Sequence, residues 1–504
     1  PGTVLRADVC VVGAGAAGIA LSRALAAARL DVLLVESGDR EPRAEVQDLA
    51  GGQVVGHNYQ PLAATRVRAL GGTTGHWTGF CRPLDAVDLE ARPAVPDSGW
   101  PFAREELDAW YEAAHEVLEL GPYEYDPDWW HDAYRTGEPL VDGPDVETIL
   151  YQISSTRFGD TYRGELRRSR RVTVCLNANV VRLAATPGAG AVTQVEIATL
   201  TGRRLHARAA CYVLAAGALE NARLLLLSSD VQASGLGNGH DLVGRYFMDH
   251  PHVAAGPVIF TRDRASLSSY GARVVRLDPA KGARRDQHDQ LVWSAIALTG
   301  EARRRLGVLG FSATLHFEGE FVPGDVPLTH LASDVRGLAA DVRTARLRRS
   351  RRPAATPATL YLRCEQSPNR DSRVVLGDER DALGLPRARL EWRLAPTDIG
   401  SAAATMALLS GEMGRTGLGI VRVAPPTGED LFTAAQGGPH QLGTARMHDD
   451  PRRGVVDGDC RAHSVDNLYV TGGAVFPTSG YANPTLTIVA LALRLAAHLR
   501  RRLA

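Results

Sequence analysis

The chain has 504 residues, of which 44% are hydrophobic and 23% charged, an ordinary globular composition that disfavours disorder and coiled coil. Its 57 basic residues balance its 57 acidic ones, so no overall basic field predicts binding to nucleic acid or to an anionic membrane. The six cysteines contain no C-x-x-C pair, which disfavours both a zinc ribbon and a disulfide scaffold.

The ends of the chain carry no signal for a membrane. The first residues lead directly into an apolar run, without the charged and apolar regions of a secretory signal. The longest apolar stretch, 486–493, contains Thr487 and is followed by Arg494, so it is too short to span a bilayer. We therefore expect a cytoplasmic protein that binds neither membrane nor nucleic acid, and the sequence leaves its oligomeric state open.

The first predicted unit is a strand, a glycine-rich turn, a helix and a second strand. An apolar run leads into the G-x-G-x-x-G pattern of Gly13, Gly15 and Gly18, and a second apolar run ends at Glu36. Gly13 permits a tight turn, Gly15 lets the backbone approach a pyrophosphate, and Gly18 lets the helix pack on the strand. Glu36 is placed to accept hydrogen bonds from a ribose. The pattern predicts a dinucleotide site, and the alternative is a glycine-rich turn of another α/β protein.

The chain predicts one dinucleotide site, because no second G-x-G-x-x-G pattern follows a strand. That site would hold either FAD alone or NAD(P) alone. Further on, a loop of small residues at 71–79 surrounds His76 and Trp77. The segment 208–214 is typical of a strand, and it enters a turn at 215–217 before a helical pattern. We interpret this as a return of the chain to the nucleotide-binding sheet.

Strict alternation of apolar and polar residues marks two strands in the middle of the chain. The segments 311–317 and 360–366 alternate as strands of an antiparallel sheet with one apolar face do. Their polar positions are Ser312, Thr314, His316, Tyr361, Arg363 and Glu365. Each of these can face either a ligand or solvent. The run 343–352 holds six arginines and is typical of a solvated helix end and loop.

Two candidate catalytic side chains lie near the C-terminus. His440 precedes a turn, and a predicted strand then runs into Gly472 and Gly473. Asn483 and Pro484 open a helix that is apolar on nearly every face and is therefore predicted to be buried. Asparagine is typical of a helix N-cap and proline of the first helical position, so capping is a second explanation for Asn483.

Together these motifs resemble the glucose-methanol-choline (GMC) family of FAD-dependent alcohol oxidoreductases. The residues that carry the resemblance keep the family's order and are 13–18, Glu36, 71–72, 215–217, 224–225 and 440–495. Within the family, the motif at 75–78 and the pair Gly472-Gly473 resemble the pyranose oxidase branch. Much of the family has an aspartate where Gly472 stands, and this departure points to the same branch.

The resemblance implies an α/β fold with two interleaved domains. A Rossmann-like FAD-binding domain would be discontinuous, and a second domain with an antiparallel sheet would bind the substrate. The FAD-binding segments would be 1–80, 165–255 and 435–504. The substrate-binding segments would be 81–164 and 256–434.

FAD is the cofactor that the resemblance implies. The residues that would bind it are Gly13, Gly15, Gly18, Glu36, Gly72, His76, Thr78, Val180, Gly217, Gly472, Gly473, Pro484 and Thr485. His76 fills the position that is bonded covalently to the flavin in pyranose oxidases, and a non-covalent histidine is the alternative. Thr78 would form a hydrogen bond near flavin N5. We predict no metal site, because a proline separates His250 from His252 and makes them a poor chelate.

The resemblance also implies roles in alcohol oxidation. His440 would be the base that takes the hydroxyl proton, and Asn483 would donate to the substrate oxygen while flavin N5 accepts the hydride. For His440 the alternative is a hydrogen-bonded structural histidine. The helix after Pro484 would direct its positive end towards the flavin and favour the anionic reduced ring.

The substrate that the resemblance implies is a pyranose sugar or glycoside, oxidised at a secondary hydroxyl (C2 or C3) to a keto sugar. Four alternatives stay open. They are an oxidoreductase of a non-sugar alcohol, a FAD-retaining lyase of the same family, an NAD-dependent dehydrogenase and a non-catalytic nucleotide-binding module. The electron acceptor would be oxygen, a quinone or a redox protein, and the sequence does not select among them.

Overall fold

The computed structural model describes residues 3–284, 287, 289–317, 356–421 and 435–504, which form a mixed α/β protein with three sheets. The predicted α/β class is therefore confirmed. The arginine-rich run 343–352 lies outside the described residues. Within the described residues, no helix combines the length and the apolar character needed to cross a membrane.

The strands of the described part are numbered in chain order. They are β1 (Thr3–Val12), β2 (Val32–Val35), β3 (Gly52–Gly56), β4 (Phe80–Cys81), β5 (Val146–Ile153), β6 (Val172–Cys175), β7 (Asn179–Ala185), β8 (Val192–Ala198), β9 (Arg204–Leu214), β10 (Pro251–Phe260), β11 (Arg273–Arg276), β12 (Asp289–Leu298), β13 (Phe311–Phe317), β14 (Thr356–Cys364), β15 (Arg373–Arg380), β16 (Pro386–Trp392), β17 (Gly419–Val421), β18 (Gln436–Gly437) and β19 (Leu468–Val470).

The helices are numbered in the same way. They are α1 (Ala16–Ala27), α2 (Ala44–Gln47), α3 (Ala86–Leu89), α4 (Asp108–Val117), α5 (Pro127–Tyr134), α6 (Phe158–Arg168), α7 (Ala218–Leu227), α8 (Gly300–Leu306), α9 (Pro396–Arg415) and α10 (Thr485–Leu503). Short 3-10 helices cover Asp48–Ala50, Leu62–Ala64, Gly72–Gly75, Arg104–Leu107, Ser268–Tyr270, Pro279–Lys281 and Gly473–Val475.

The first sheet contains the predicted nucleotide-binding unit. Its strands run in the order β6-β2-β1-β9-β8-β7, and β19 also pairs with β9. Strand β1 is parallel to both neighbours, so Val12 lies beside Val35 on β2 and beside Leu214 on β9. Parallel strands bring their carboxyl ends to one edge, where the turns after β1, β2 and β9 meet. This is the edge at which a doubly wound sheet binds its ligand.

The second sheet is antiparallel throughout, as the alternation of residues predicted. Its strands run in the order β17-β10-β14-β13-β12-β5-β4, with β11 paired to β12 and β18 to β10. Phe311, Leu315 and Leu360 lie in one buried apolar cluster with Met406 and Leu409 of α9. Helix α9 therefore covers the apolar face of this sheet, and the polar face is left for the cavity described below.

A third, three-stranded sheet links the two regions. Strand β16 pairs with β15 in antiparallel fashion and with β3 in parallel fashion. Strand β3 belongs to the predicted FAD-binding segment 1–80, whereas β15 and β16 belong to the predicted substrate-binding segment 256–434. One sheet thus contains strands from both predicted segments. The predicted domain boundaries remain a prediction.

Candidate active site

A cavity of about 730 Å³ lies between the turns of the first sheet and the polar face of the second sheet. One part of it, here the nucleotide end, is lined by Gly13, Gly15, Glu36, Val180 and Gly217. The other part, here the histidine end, is lined by His252, His316, Arg363, His440 and Asn483. Residues that the sequence predicted for cofactor and substrate thus line one continuous space.

Most of the predicted site residues line this cavity. Those that do so are Gly13, Gly15, Glu36, Gly72, His76, Thr78, Val180, Gly217, His440, Gly472, Gly473, Asn483, Pro484 and Thr485. Gly18 does not line it. A Cβ at Gly18 would lie 1.9 Å from the carbonyl oxygen of Gly13, so this glycine permits close packing of α1 on the turn after β1.

Glu36 is held in place by backbone groups at the end of β2. Its carboxylate accepts hydrogen bonds from the backbone N–H groups of Ala14 and Gly38, both at 2.8 Å. Burial raises the pKa of Glu36, and the two backbone bonds oppose that shift. An acceptor fixed in this position, at the edge of a parallel sheet, suits the hydroxyls of a ribose.

Two glycines leave open space at the nucleotide end. A Cβ built at Gly15 or at Gly217 would meet no atom within 4 Å, although both residues line the cavity. Gly217 also has a φ of +84°, a conformation that favours glycine. Open backbone of this kind allows a phosphate group to approach closely.

Three helices begin at this cavity without a side-chain cap. The residues before α1, α7 and α10 are Gly15, Gly217 and Pro484, and none of them makes a side-chain hydrogen bond to its helix. The first N–H groups of each helix are therefore left for another partner. Free N–H groups and the positive helix end favour an anionic ligand such as a pyrophosphate. FAD fits the residues present at the nucleotide end.

The histidine end contains a chain of hydrogen bonds through two imidazoles. His440 Nδ1 lies 2.8 Å from His250 Nδ1, and His250 Nε2 lies 3.3 Å from the carbonyl oxygen of Ser479. On the other side, His440 Nε2 lies 3.3 Å from Asn483 Nδ2. The second imidazole, His250, was considered at the sequence level only as a metal ligand.

These partners assign the proton positions on both rings. A carbonyl oxygen can only accept, so His250 Nε2 carries a proton and its Nδ1 is an acceptor. His440 Nδ1 therefore donates to His250, which leaves a lone pair on His440 Nε2 beside the Asn483 amide. Burial lowers the pKa of His250 to about 4, and burial together with the neighbouring His250, His252 and Arg363 lowers the pKa of His440 well below 6.5. The imidazole of His440 is neutral at pH 7 and has a proton acceptor facing the cavity.

Asp249 fixes the backbone of both histidines. Its carboxylate accepts from the backbone N–H of His250 at 2.6 Å and of His440 at 2.8 Å. The Tyr59 hydroxyl donates to the other carboxylate oxygen at 2.5 Å. Burial raises the pKa of Asp249 to about 6, and these donors oppose the shift. Sequence reasoning missed Asp249 and Tyr59, although the run 249–252 contained the signal of an acid followed by two histidines.

Asn483 does not cap helix α10, so the capping explanation is wrong. The helix begins at Thr485 and its N-cap is Pro484, whose φ and ψ of −77° and −13° are already helical. The Pro484 carbonyl accepts from the N–H of Ile488 at 2.9 Å. The Asn483 side chain is thereby left for the cavity, and its buried Oδ1 atom has no hydrogen-bond partner in the part of the chain that the structure describes.

The polar face of the second sheet divides into cavity-lining and buried residues. His316, Tyr361 and Arg363 line the cavity. Ser312 is fully buried and accepts a hydrogen bond from the Tyr151 hydroxyl at 3.0 Å. Thr314 is likewise buried, and its hydroxyl lies 3.1 Å from His316 Nε2.

Glu365, a third polar position that the sequence predicted on this strand, does not line the cavity. It directly follows Cys364, the last residue of β14. The Glu365 carboxylate is instead buried, and it forms ion pairs with Arg92 and Arg303. It therefore supports the fold beside the site and does not face a ligand.

Gly472, Gly473, His76 and Thr78 also line the cavity. Gly472 has a φ of +87°, and a Cβ at Gly473 would lie 2.7 Å from the Gln441 carbonyl oxygen. The pair therefore lets the turn after β19 pack closely on the segment that carries His440. Burial lowers the pKa of His76, and the nearby charge of Arg157 adds to this effect.

The fold and the site together define a class of protein. A βαβ nucleotide site is joined through one cavity to a neutral, hydrogen-bonded histidine and an asparagine amide. This arrangement is that of a nucleotide-dependent oxidoreductase.

Comparison with known proteins gives the family. The profile described as "FAD dependent oxidoreductase" matches residues 8–234, and the one described as "GMC oxidoreductase" matches residues 368–492. The chain belongs to the GMC family of FAD-dependent oxidoreductases. Membership of the pyranose oxidase branch remains a prediction.

The chain is similar to two curated oxidases along most of its length. It is 27% identical to the 6'''-hydroxyparomomycin C oxidase of Streptomyces lividus, over 98% of this chain and 91% of that protein. It is 26% identical to the C-glycoside 3-oxidase of Microbacterium trichothecenolyticum, over 92% of this chain and 82% of that protein. A solved structure of Aspergillus oryzae RIB40 formate oxidase has the same fold, with a TM-score of 0.60, 15% identity and coverage of 99% and 98%.

Proposed function

We propose that the protein oxidises a secondary hydroxyl, C2 or C3, of a pyranose sugar or glycoside to a keto sugar, with His440 as the base. One observation carries this proposal. The unprotonated Nε2 of His440 and the amide of Asn483 lie 3.3 Å apart at the wall of a cavity that continues to the nucleotide end. A hydroxyl oxygen held between them can lose its proton to one and accept a hydrogen bond from the other.

The chain's own residues handle the proton and the orientation of the substrate. FAD, when bound, supplies the acceptor for the hydride that leaves the carbon. The hydroxyl proton moves to His440 Nε2, and the Asn483 amide donates to the oxygen that loses it. The His440 cation formed in this step keeps its Nδ1 hydrogen bond to His250, and the nearby Asp249 carboxylate, which accepts the His440 backbone N–H at 2.8 Å, offsets its charge.

Residues of the second sheet support a sugar as the substrate. The rings of His316 and Tyr361 lie 4.3 Å apart at an angle of 32° and both line the cavity. Tyr361 is 40% exposed, so its ring is available to pack on the apolar face of a pyranose. The curated relatives described above are oxidases named for a C-glycoside and for hydroxyparomomycin C, which supports a glycoside substrate for this chain.

The nucleotide end would bind FAD mainly through backbone groups. The turn of Gly13 and Gly15 with the start of α1 would bind the pyrophosphate, and Glu36 would bind the ribose. Gly72, Val180, Gly217 and the pair Gly472-Gly473 would contact the cofactor through their backbone. The start of α10, at Pro484 and Thr485, would direct its free N–H groups towards the flavin ring, and Thr78 would lie close to the ring.

His76 would be the point of covalent attachment of the flavin. The position of His76 on the cavity wall next to Thr78 supports this proposal. Acid precipitation of the holoenzyme should leave the yellow colour in the pellet, and His76→Ala should release the colour to the supernatant. Free FAD from the unmodified protein would show that the flavin is bound without a covalent bond.

The test of the proposed function is anaerobic bleaching of the flavin absorbance. The panel contains glucose, xylose, aryl glucosides, C-glycosides, choline and benzyl alcohol, with NMR of the product to identify the oxidised carbon. We expect a sugar or glycoside to bleach the flavin fastest and to give a C2 or C3 ketone. A faster reaction with choline or benzyl alcohol would overturn the sugar substrate, and a flavin that no alcohol bleaches would favour the lyase.

Reoxidation of the bleached enzyme then identifies the electron acceptor. Oxygen, a quinone and a redox protein are added separately, and the return of flavin absorbance is followed. The acceptor that restores the absorbance fastest distinguishes an oxidase from a dehydrogenase.

A further inference from the structure

Arg363 is a charged side chain at the histidine end that has no charged partner among the described residues. It lines the cavity from β14, and its Nη1 atom is buried without a hydrogen-bond partner. Its guanidinium lies over the Phe80 ring, with Cζ 5.0 Å from the ring centre. Burial lowers the pKa of Arg363, whereas the pKa of the buried Arg303 is raised by its ion pairs despite burial. A buried cation in this setting lacks the carboxylate that such groups normally have.

The carboxylates that line the cavity cannot supply that partner. Among the described lining residues they are Glu36, Glu220 and Asp381. Glu36 binds backbone N–H groups beyond β2, as shown above. Glu220 forms ion pairs with two arginines, Arg66 and Arg68, at 2.9 and 2.8 Å, and the carboxylate of Asp381 accepts from Arg223 at 2.6 Å. The described carboxylates of the cavity are therefore bound elsewhere.

Arg363 lies next to the proposed base. In the sheet it is directly opposite His252 on β10, so the two side chains share one face. The ring of His252 in turn lies 5.9 Å from the ring of His440, centre to centre. Burial, together with the charge of Arg363, lowers the pKa of His252 to about 3, so this neighbour is neutral at pH 7. The histidine end thus presents one positive charge and several neutral hydrogen-bonding groups.

We propose that Arg363 binds a carboxylate on the substrate, so that the enzyme acts on an acidic sugar or acidic glycoside. This inference rests on the proposed function, whose substrate class it narrows. A carboxylate forms two parallel hydrogen bonds with a guanidinium and neutralises it, which a sugar hydroxyl does not do. The carboxylate takes no part in the chemistry and serves to orient the ring towards His440. The same charge repels a cationic amino sugar.

The carboxylate has two possible positions, and matched substrates separate them. A uronic acid carries it on the pyranose itself, and an acidic aglycone carries it beyond the glycosidic bond. The panel is phenyl β-glucoside, phenyl β-glucuronide, 4-carboxyphenyl β-glucoside and phenyl β-glucosaminide. Each is added to the holoenzyme without oxygen, and kcat/KM for flavin bleaching is measured.

We expect one of the two acidic substrates to exceed phenyl glucoside by about 10- to 100-fold in kcat/KM, and the glucosaminide to react slowest. In Arg363→Met this preference should disappear, with neutral phenyl glucoside changed by only a few-fold. Arg363→Lys should retain part of the preference, since it keeps the charge without the planar fork. Arg208→Met, at an exposed arginine of β9, is the matched control and should behave as the unmodified protein.

Binding provides a readout that does not depend on turnover. Calorimetric titration of the holoenzyme with methyl glucuronide and with methyl glucoside should show tighter binding of the acid, by a margin that Arg363→Met abolishes. Equal affinity and equal kcat/KM for neutral and acidic substrates, or an equal loss for both in Arg363→Met, would overturn the inference. Arginine-dependent binding of the acid with no bleaching by any sugar would instead retain this inference and overturn the proposed reaction.

Discussion

The two ends of the cavity use opposite means to bind their ligands. At the nucleotide end, glycine backbone and the starts of three helices face the space, and the charged side chains nearby are paired with one another. At the histidine end, side chains from distant parts of the sequence converge, and the charge of Arg363 has no ion-pair partner among the described residues. The nucleotide end would thus bind its ligand through backbone geometry, and the histidine end through the charge and hydrogen bonds of its side chains.

The pKa shifts follow the same division. Burial would raise the pKa of Glu220, but the charges of Arg68 and Arg66 lower it to about 2. At the histidine end, burial lowers the pKa values of His250 and His252 to about 4 and 3. Partnered charges near the nucleotide thus stay ionised, whereas the imidazoles around the proposed base stay neutral. The difference agrees with the proposed roles, in which the nucleotide end binds FAD and the histidine end accepts a proton.

The largest expected effect comes from filling the open space beside the backbone at the nucleotide end. Gly15→Glu would place a long, negatively charged side chain where no protein atom lies within 4 Å of an added Cβ. Because the helix N–H groups there favour an anion from the ligand, we expect FAD binding to weaken by more than about 100-fold while the chain still folds. The measurement is flavin absorbance per protein, with circular dichroism to check the fold.

Gly188→Glu is the matched control for this variant. Gly188 is exposed, and a Cβ built there also meets nothing within 4 Å. This variant should bind FAD like the unmodified protein. Full flavin content in Gly15→Glu would show that the backbone at this turn does not contact the cofactor.

The next effect tests the proton acceptor at the histidine end. His440→Ala should keep its flavin, since the nucleotide end is unchanged, but flavin reduction by substrate should slow by about 10²- to 10⁴-fold, the usual contribution of a general base. Stopped-flow absorbance without oxygen measures the rate. His240→Ala, at an exposed histidine, is the control. A rate equal to that of the control would remove His440 from the mechanism.

The two ends also differ in how far the sequence predicts them. The nucleotide end follows from local signals, because Gly13, Gly15 and Glu36 belong to one βαβ unit whose spacing fixes its geometry. The sequence therefore predicts the fold class, and the residues it predicts for this end line the cavity apart from Gly18. Gly18 lies outside the cavity and instead lets α1 pack closely on the turn after β1.

The histidine end depends on contacts between residues far apart in the chain. His250 and His440 are 190 positions apart, and no periodicity in the sequence brings their rings together. Similarly, Arg363 lines the cavity, whereas Glu365, two positions later, forms buried ion pairs with Arg92 and Arg303. Such details follow from strand register and strand length, which local patterns leave undetermined.

A smaller effect should come from the link between the two imidazoles. His250→Leu removes the acceptor for His440 Nδ1–H, so the proton is free to move to Nε2, and the base is then in the wrong tautomer for part of the time. We expect flavin reduction to slow by about 10-fold. His250→Asn offers an amide oxygen as acceptor and should recover part of the rate, which a purely structural role would not explain. Equal rates in the two variants would contradict this role.

The smallest effect concerns pH and uses the charge of Arg363. Only neutral His440 accepts a proton, so activity falls when His440 becomes protonated. Burial and then the neighbouring His250, His252 and Arg363 lower its pKa well below 6.5, so the acid limb of kcat/KM should lie below pH 6.5. Protonation of Asp249, whose pKa is about 6, removes a negative charge nearby and lowers the His440 pKa further.

Arg363→Met removes one positive charge from beside the proposed base, which makes the His440 cation less unfavourable. The pKa of His440 should therefore rise, and the acid limb measured with neutral phenyl glucoside should move to higher pH by about one unit or less. Arg208→Met should leave the limb where it is, because Arg208 is an exposed residue of β9 in the first sheet. A limb that moves to lower pH in Arg363→Met would show that the guanidinium does not act on His440 through its charge. An unchanged limb together with a lost preference for acidic substrates would show that Arg363 acts on the substrate alone.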